Sequence, residues 1–238
     1  MDSTISPTSF EEAYHVIREQ EGRIYSNEEL AGLPKVAKDH PFYSEWKLRK
    51  RSAGRLKDYL AGKQSSIRIL EAGCGNGWLS HQLALSGQCR VTGIDVHHSE
   101  IQQAAEVFHK QKNLEFREAD FLSAKFPGEF DLIVFAASIQ YFRSLPEVIE
   151  RALSLLSGEG EIHIIDSHFY HSKDRSQAVL RSLDHFTKQK LPVMSRYYHH
   201  HCWEDLRDYQ FNVLYSPNRL LNRLGMLQNP FPWIRIKK

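Results

Sequence analysis

The stretch Ile69-Leu70-Glu71-Ala72-Gly73-Cys74-Gly75-Asn76-Gly77-Trp78 constrains this chain more than any other. Two β-formers lead into an acid, glycines then occupy every second position, and an apolar-periodic helical segment follows. A backbone takes this form where a strand turns into a helix and must pass close to a ligand. Glycine permits both the close approach and φ > 0. The N–H groups that open the following helix are then expected to face that ligand. The dinucleotide pattern G-x-G-x-x-G is not met, because Trp78 stands where its third glycine would be.

Strand and helix patterns alternate from Ser66 to Asp166, the mark of a doubly wound α/β sheet. Arg90–Val96 reads as a second strand ending in Asp95, roughly twenty residues past the glycine loop. A carboxylate there can accept both hydroxyls of a ribose. Leu114–Phe121 reads as a third strand closing on Asp120-Phe121, Glu129–Phe135 as a fourth and Leu155–Asp166 as a fifth. The runs Leu132–Phe135 and Ile162–Ile165 are nearly continuous in apolar residues, as parallel strands covered on both faces are. Asp131 opens its strand at the end away from the ligand edge and reads as structural.

The order Glu-x-Gly-x-Gly-x-Gly, Asp95, Asp120-Phe121, Phe130-Asp131 and Leu156-Ser157-Gly158-Glu159-Gly160 resembles the motif series of the class I S-adenosylmethionine-dependent methyltransferases. Ser157 replaces the usual proline of the last motif. The resemblance covers residues 65–168 well and the flanks by architecture only. It implies a seven-stranded, mostly parallel sheet with an N-terminal helical lid, and S-adenosyl-L-methionine as cofactor. It also implies that Glu71, Gly73, Gly75 and Gly77 lie under the methionine part, Asp95 and Val96 at the ribose, and Asp120 and Phe121 at adenine. Two of these have rival roles: Glu71 as an anchor of the loop, Asp120 as a helix cap. Ala136 closes the cofactor edge, Gln140 and Tyr141 face the acceptor, and His168, just past the fifth strand, is the candidate general base.

The flanks carry less. Phe10–Glu21 and Ser44–Leu60 read as helices, the second with a basic stripe from Lys47 to Lys57. That stripe reads as a solvated face over buried Trp46, Leu48, Ala53, Leu56 and Leu60. Arg175–Lys190 reads as a helix, Trp203–Tyr209 as a short one, and Phe211–Tyr215 with Trp233–Lys237 as an antiparallel edge pair. Residues 1–64 form an N-terminal helical part and 65–238 the catalytic domain, with a cofactor half to 168 and an acceptor side from 169 to 238.

Thirty-one Lys and Arg against 29 Asp and Glu give a net charge of +2, too balanced to signal nucleic acid or membrane by field alone. No apolar run reaches membrane-spanning length, and Met1–Pro7 lacks the features of a signal peptide. The three cysteines form no disulfide or zinc pattern, which fits a reducing cytoplasm. No metal constellation stands out; the triplet His199-His200-His201 is weak evidence, because consecutive side chains diverge. The chain lacks the Pro-Pro-aromatic run of enzymes that methylate base amines, and the Pro-Cys nucleophile of the cytosine type. The expected activity is methyl transfer to oxygen or nitrogen of a small molecule. An RNA or protein acceptor, and a cofactor-holding module without chemistry, stand as alternatives.

Overall fold

The computed structural model describes residues 9–63, 66–86, 89–218 and 229–238. The reading of Met1–Pro7 and the boundary between residues 64 and 65 lie outside the described residues. Seven strands, β1 (Ile67–Ala72), β2 (Cys89–Asp95), β3 (Leu114–Glu118), β4 (Phe130–Ala136), β5 (Leu156–Ile165), β6 (Phe211–Tyr215) and β7 (Trp233–Lys237), form one sheet. Their order is β3-β2-β1-β4-β5-β7-β6. The first five run parallel, while β7 is antiparallel to both β5 and β6. Helices α1 (Phe10–Gln20), α2 (Asn27–Gly32), α3 (Tyr43–Ala61), α4 (Trp78–Ala84), α5 (His98–Val107), α6 (Leu145–Leu155) and α7 (Ser172–Lys188) complete the described regular structure with three short 3₁₀ turns.

The period-two alternation of β1 builds the two cores. Ile67 and Ile69 join Leu56 and Leu60 of α3 and Leu79 and Leu83 of α4, whereas Leu70 and Ala72 join Val148, Ile149 and Ala152 of α6. By the same alternation Glu71 faces α4. A third cluster docks α1 on the α7 side through Ala13, Ile17, Phe186, Leu191 and Met194. Ser9 and Glu12 close a capping box at the start of α1.

Several elements differ from expectation. Helix α2 has only six residues, too short to show helical periodicity, although its Ser26–Glu29 capping box was present in the sequence. Strand β3 ends at Glu118, so Asp120 and Phe121 sit in the turn beyond it. The basic stripe of α3 is partly solvated, with Lys50 and Arg51 exposed, and partly engaged within the fold. Arg49 pairs with Glu45, and Arg55 lies 3.7 Å from the centre of the Tyr215 ring. Leu48 is half-buried rather than core.

Two acids brace the sheet away from the ligand edge. Asp131 accepts from the Arg68 N–H at 2.8 Å and the Ser157 hydroxyl at 3.0 Å, joining β1, β4 and β5 at their starts. Glu161 accepts from Tyr59 at 2.7 Å and Lys63 at 3.0 Å, tying α3 to β5. Burial pushes the Glu161 carboxyl up, but hydrogen bonds with His163, Tyr59 and Lys63 outweigh it and hold the group well below the ordinary range. Asp131→Ala leaves the Arg68 N–H without its partner and should lower unfolding free energy by about 1–3 kcal/mol in urea titration. Affinity for ligands at the opposite strand ends should be unchanged; a loss of affinity with full stability would give Asp131 a different role.

Candidate active site

The strand order reverses between β1 and β4, and a cavity of about 670 Å³ opens at their carboxyl ends, where open α/β sheets bind ligands. Its walls come from α1, α3, the glycine loop, the ends of β2 and β4, the turn after β3, α7 and the segment Met194–Tyr198.

Gly73, Gly75 and Gly77 all have positive φ, at 73°, 52° and 75°. A Cβ on Gly73 would fall 2.5 Å from the Ser138 Cβ, and one on Gly75 2.7 Å from Glu100 Oε2. Both line the cavity. Gly77 does not: a Cβ there would fall 2.3 Å from the Phe116 ring, so this glycine seats α4 against β3 rather than touching a ligand. Four N–H groups of the loop are spent internally. Those of Gly73 and Cys74 donate to the Ile94 carbonyl, that of Gly75 to Asp95, and that of Gly77 to the Cys74 carbonyl. The loop is therefore a rigid shelf held by β2.

Asp95 accepts from the Gly75 N–H at 2.8 Å and the His97 N–H at 2.9 Å, one on each oxygen. Each oxygen retains lone-pair capacity for a further donor. Burial pushes this carboxyl up while the two N–H groups oppose the rise. Glu71 is 2 % exposed and accepts from the Ser80 hydroxyl of α4. It both lines the cavity and anchors the helix after the loop. Burial lifts its pKa to about 8, opposed by Ser80 and aided by the nearby Asp95 charge. Val96, Asp120, Phe121 and Ala136 also line the cavity. Asp120 caps its own turn as well, accepting from the Leu122 N–H at 3.2 Å and the Ser123 hydroxyl at 2.9 Å. The Phe121 ring is buried against Phe135.

On the other side Tyr141 stands among Phe10, Tyr14 and Tyr198, with ring centres 5.4, 5.6 and 5.9 Å away. Gln140 lines the cavity, yet its amide is engaged, donating to the Ala137 carbonyl and accepting from Ser167 at 3.0 Å. His168 does not line the cavity. Its side chain is exposed, with its ring centre 4.6 Å from that of Phe231 and 5.9 Å from that of Tyr170. The structure therefore does not bring His168 into the cavity with the other expected site residues. From the histidine triplet, His200 backs the cavity wall and shares a 2.8 Å hydrogen bond with Ser182 of α7, which lines it. Among the described residues no group of three or more His, Cys, Asp or Glu side chains is arranged to hold a metal. No helix of the described residues is long and apolar enough to cross a membrane.

The family model described as "Methyltransferase domain" matches residues 63–214. The chain belongs to this methyltransferase family. Malonyl-[acyl-carrier protein] O-methyltransferase of Acetivibrio thermocellus is 27% identical over 158 residues, covering 63% of this chain and 55% of that protein. The 27-O-demethylrifamycin SV methyltransferase of Amycolatopsis mediterranei is 28% identical over 119 residues, covering 47% and 44%. The chain thus spans about half the length of the curated relatives it matches. The structure of magnesium protoporphyrin IX methyltransferase from Synechocystis PCC 6803 with bound S-adenosylmethionine aligns at TM-score 0.58 and 14% identity, covering 99% of this chain and 100% of that one. That likeness is one of fold, and the seven-stranded class I methyltransferase sheet is the fold observed here.

Sequence reasoning did not find Tyr14, Arg18, Glu100, Tyr198 or Ser182, all of which line this methyltransferase's cavity. Tyr14, Arg18, Glu100 and Ser182 lie on α1, α5 and α7 and Tyr198 in the segment beyond α7, and none of them belongs to a motif. Glu100 matters most electrostatically: burial lifts it to about 7, with Arg18 opposing and Asp95 adding to the rise. Glu71 and Glu100 ionise near 4.5 ordinarily but hold their protons to about 8 and about 7 in the fold, so the folded state binds more protons between those limits. Their contribution to stability is complete below the lower limit and is lost as pH rises through the folded values. The ligand-free methyltransferase should lose stability between about pH 5 and about pH 8, each acid adding at most about 1.4 kcal/mol per pH unit. Chemical denaturation across that range should show a shallower slope for Glu71→Gln; an unaltered slope would put the raised pKa in doubt.

Proposed function

We propose that this methyltransferase moves the methyl group of S-adenosyl-L-methionine to an oxygen of a small organic acceptor. The observation that carries this reading is the cavity itself: a glycine shelf without room for side chains, the half-satisfied carboxylate of Asp95, and an aromatic compartment continuous with both. The residues present fit the cofactor. Gly73 and Gly75 let it approach the backbone, and Asp95 has acceptor capacity for ribose hydroxyls. Glu71 lies at the end of β1, where a cationic group would draw off its proton. Asp120 and Phe121, in the turn beyond β3, are placed to meet adenine.

When bound, the cofactor supplies a methyl group activated on a cationic sulfur. The protein's own part is alignment and exclusion of water. Tyr141, Tyr198 and Phe10 wall the acceptor compartment, and α1, in the N-terminal part of the chain, serves as its lid. Ser182, backed by His200, is the polar point in that wall able to orient an acceptor hydroxyl. The names of the relatives support oxygen as the receiving atom. We place the reaction in the cytoplasm, in keeping with cysteines that are all free among the described residues.

Calorimetric titration with S-adenosylmethionine and S-adenosylhomocysteine tests the reading. Asp95→Ala should weaken both by roughly ten- to a hundred-fold, the worth of a charge-assisted hydrogen bond, with the thermal transition retained. Undiminished affinity in the variant would remove Asp95 from the site. Absence of binding to the unaltered protein would remove the cofactor.

A further inference from the structure

Helices α1 and α5 meet over the glycine shelf without satisfying each other. Arg18 Nε of α1 and Glu100 Oε1 of α5 lie 3.9 Å apart, close enough to attract and too far to hydrogen-bond. Arg18 Nε and Glu100 Oε2 are enclosed yet lack a hydrogen-bond partner among the described residues. Both side chains line the cavity, at 18% and 16% exposure. A pair shut away in this manner while unbonded is costly, unless a ligand completes it.

The location narrows the ligand group. Gly75 is the shared neighbour of two acids: its N–H donates to Asp95 Oδ2 at 2.8 Å, and a Cβ on it would fall 2.7 Å from Glu100 Oε2. What belongs beside Gly75 must donate to two carboxylates and accept from a guanidinium. An ammonium only donates, and a carboxylate only accepts. A vicinal diol does both, since each hydroxyl is donor and acceptor. One hydroxyl between the guanidinium and the Glu100 carboxylate would accept from Arg18 Nε and donate to the acid, a bridge that the 3.9 Å gap between the two side chains leaves unmade.

We propose that Glu100 and Arg18, together with Asp95, clamp the ribose diol of the cofactor, with Arg18 carried onto it by α1. The inference rests on the cofactor reading above and adds two residues to it. Glu100 accepts from one hydroxyl and Asp95 from the other, while Arg18 donates to the hydroxyl that Glu100 receives. Binding of the diol thereby fastens α1 over the cavity, an arrangement helped by the stacking of His15 on His97, ring centres 5.6 Å apart.

The test compares S-adenosylhomocysteine with its analogue lacking both ribose hydroxyls, titrated calorimetrically into the full chain and into Glu100→Gln and Arg18→Gln. Each variant should lose about tenfold in affinity for the parent ligand and about twofold or less for the dideoxy analogue, so that the diol's advantage shrinks. An equal loss for both ligands would make Arg18 and Glu100 a mere strut between α1 and α5 and overturn the clamp, as would no loss at all. Should Glu100→Gln fail to fold by circular dichroism, Arg18→Gln carries the comparison alone. If the unaltered protein binds the parent ligand but shows no such discrimination in its variants, the clamp falls and the cofactor stands. If it binds neither ligand, both fall.

Discussion

The contact on which the active site depends is the approach of two backbone glycines to side chains from other elements. Gly73 lies against Ser138 and Gly75 against Glu100 with no space for a β-carbon on either. Ser138 in turn donates to the Ala72 carbonyl at 2.7 Å, so the ends of β1 and β4 are drawn together where the strand order reverses. Because Gly73 and Cys74 both donate to Ile94, the shelf is also fastened to β2. A substituent on either glycine would displace the segments that form the two sides of the crevice. The glycines are thus required by the protein's own packing as much as by any ligand, and the ligand inherits a floor that is already rigid.

The acids around that floor divide into two kinds by what surrounds them. Asp131 and Glu161 are matched by backbone or side-chain donors at the far end of the sheet and serve as struts. Glu71, Asp95 and Glu100 are enclosed with too few donors, and burial favours their neutral forms. Such a deficit is tolerated in a native fold chiefly where a ligand makes it good. Three of the cavity's arginines, Arg18, Arg23 and Arg49, differ likewise. Arg23 forks onto Glu45 at 2.9 and 2.7 Å and Arg49 reaches the same acid at 2.9 Å, leaving Arg18 the loosely paired one.

Much of the fold was legible because its signals are local. Near-continuous apolar runs marked β4 and β5, alternate glycines marked the turn after β1, and Asp95 followed at the interval that a βαβ unit requires. The antiparallel pair β6–β7 was also read, since both are short β-rich segments. What the sequence left unspecified depended on contacts distant in sequence. Gly77 looks like its neighbours in the loop, yet Phe116 of β3 decides its role. His168 follows β5 as a base could, yet its ring lies beside Phe231 outside the cavity. Gln140 points at the acceptor region by position, but Ser167 and Ala137 occupy its amide.

The same distinction explains why the cofactor half was readable and the acceptor half was not. A shelf built from backbone geometry needs particular residue types at fixed spacing, because only glycine tolerates the contact and the conformation. An aromatic compartment needs only enough ring surface converging from several directions. Phe10 and Tyr14 come from α1, Tyr141 from the turn after β4, Phe186 from α7 and Tyr198 from the segment beyond it. Many sequences could supply such walls, so no spacing betrays them. The polar points among them, Ser182 with His200, become visible only when α7 is laid beside the histidine segment. On the proposed reading, acceptor choice is written in the packing of α1 against α7 rather than in any motif.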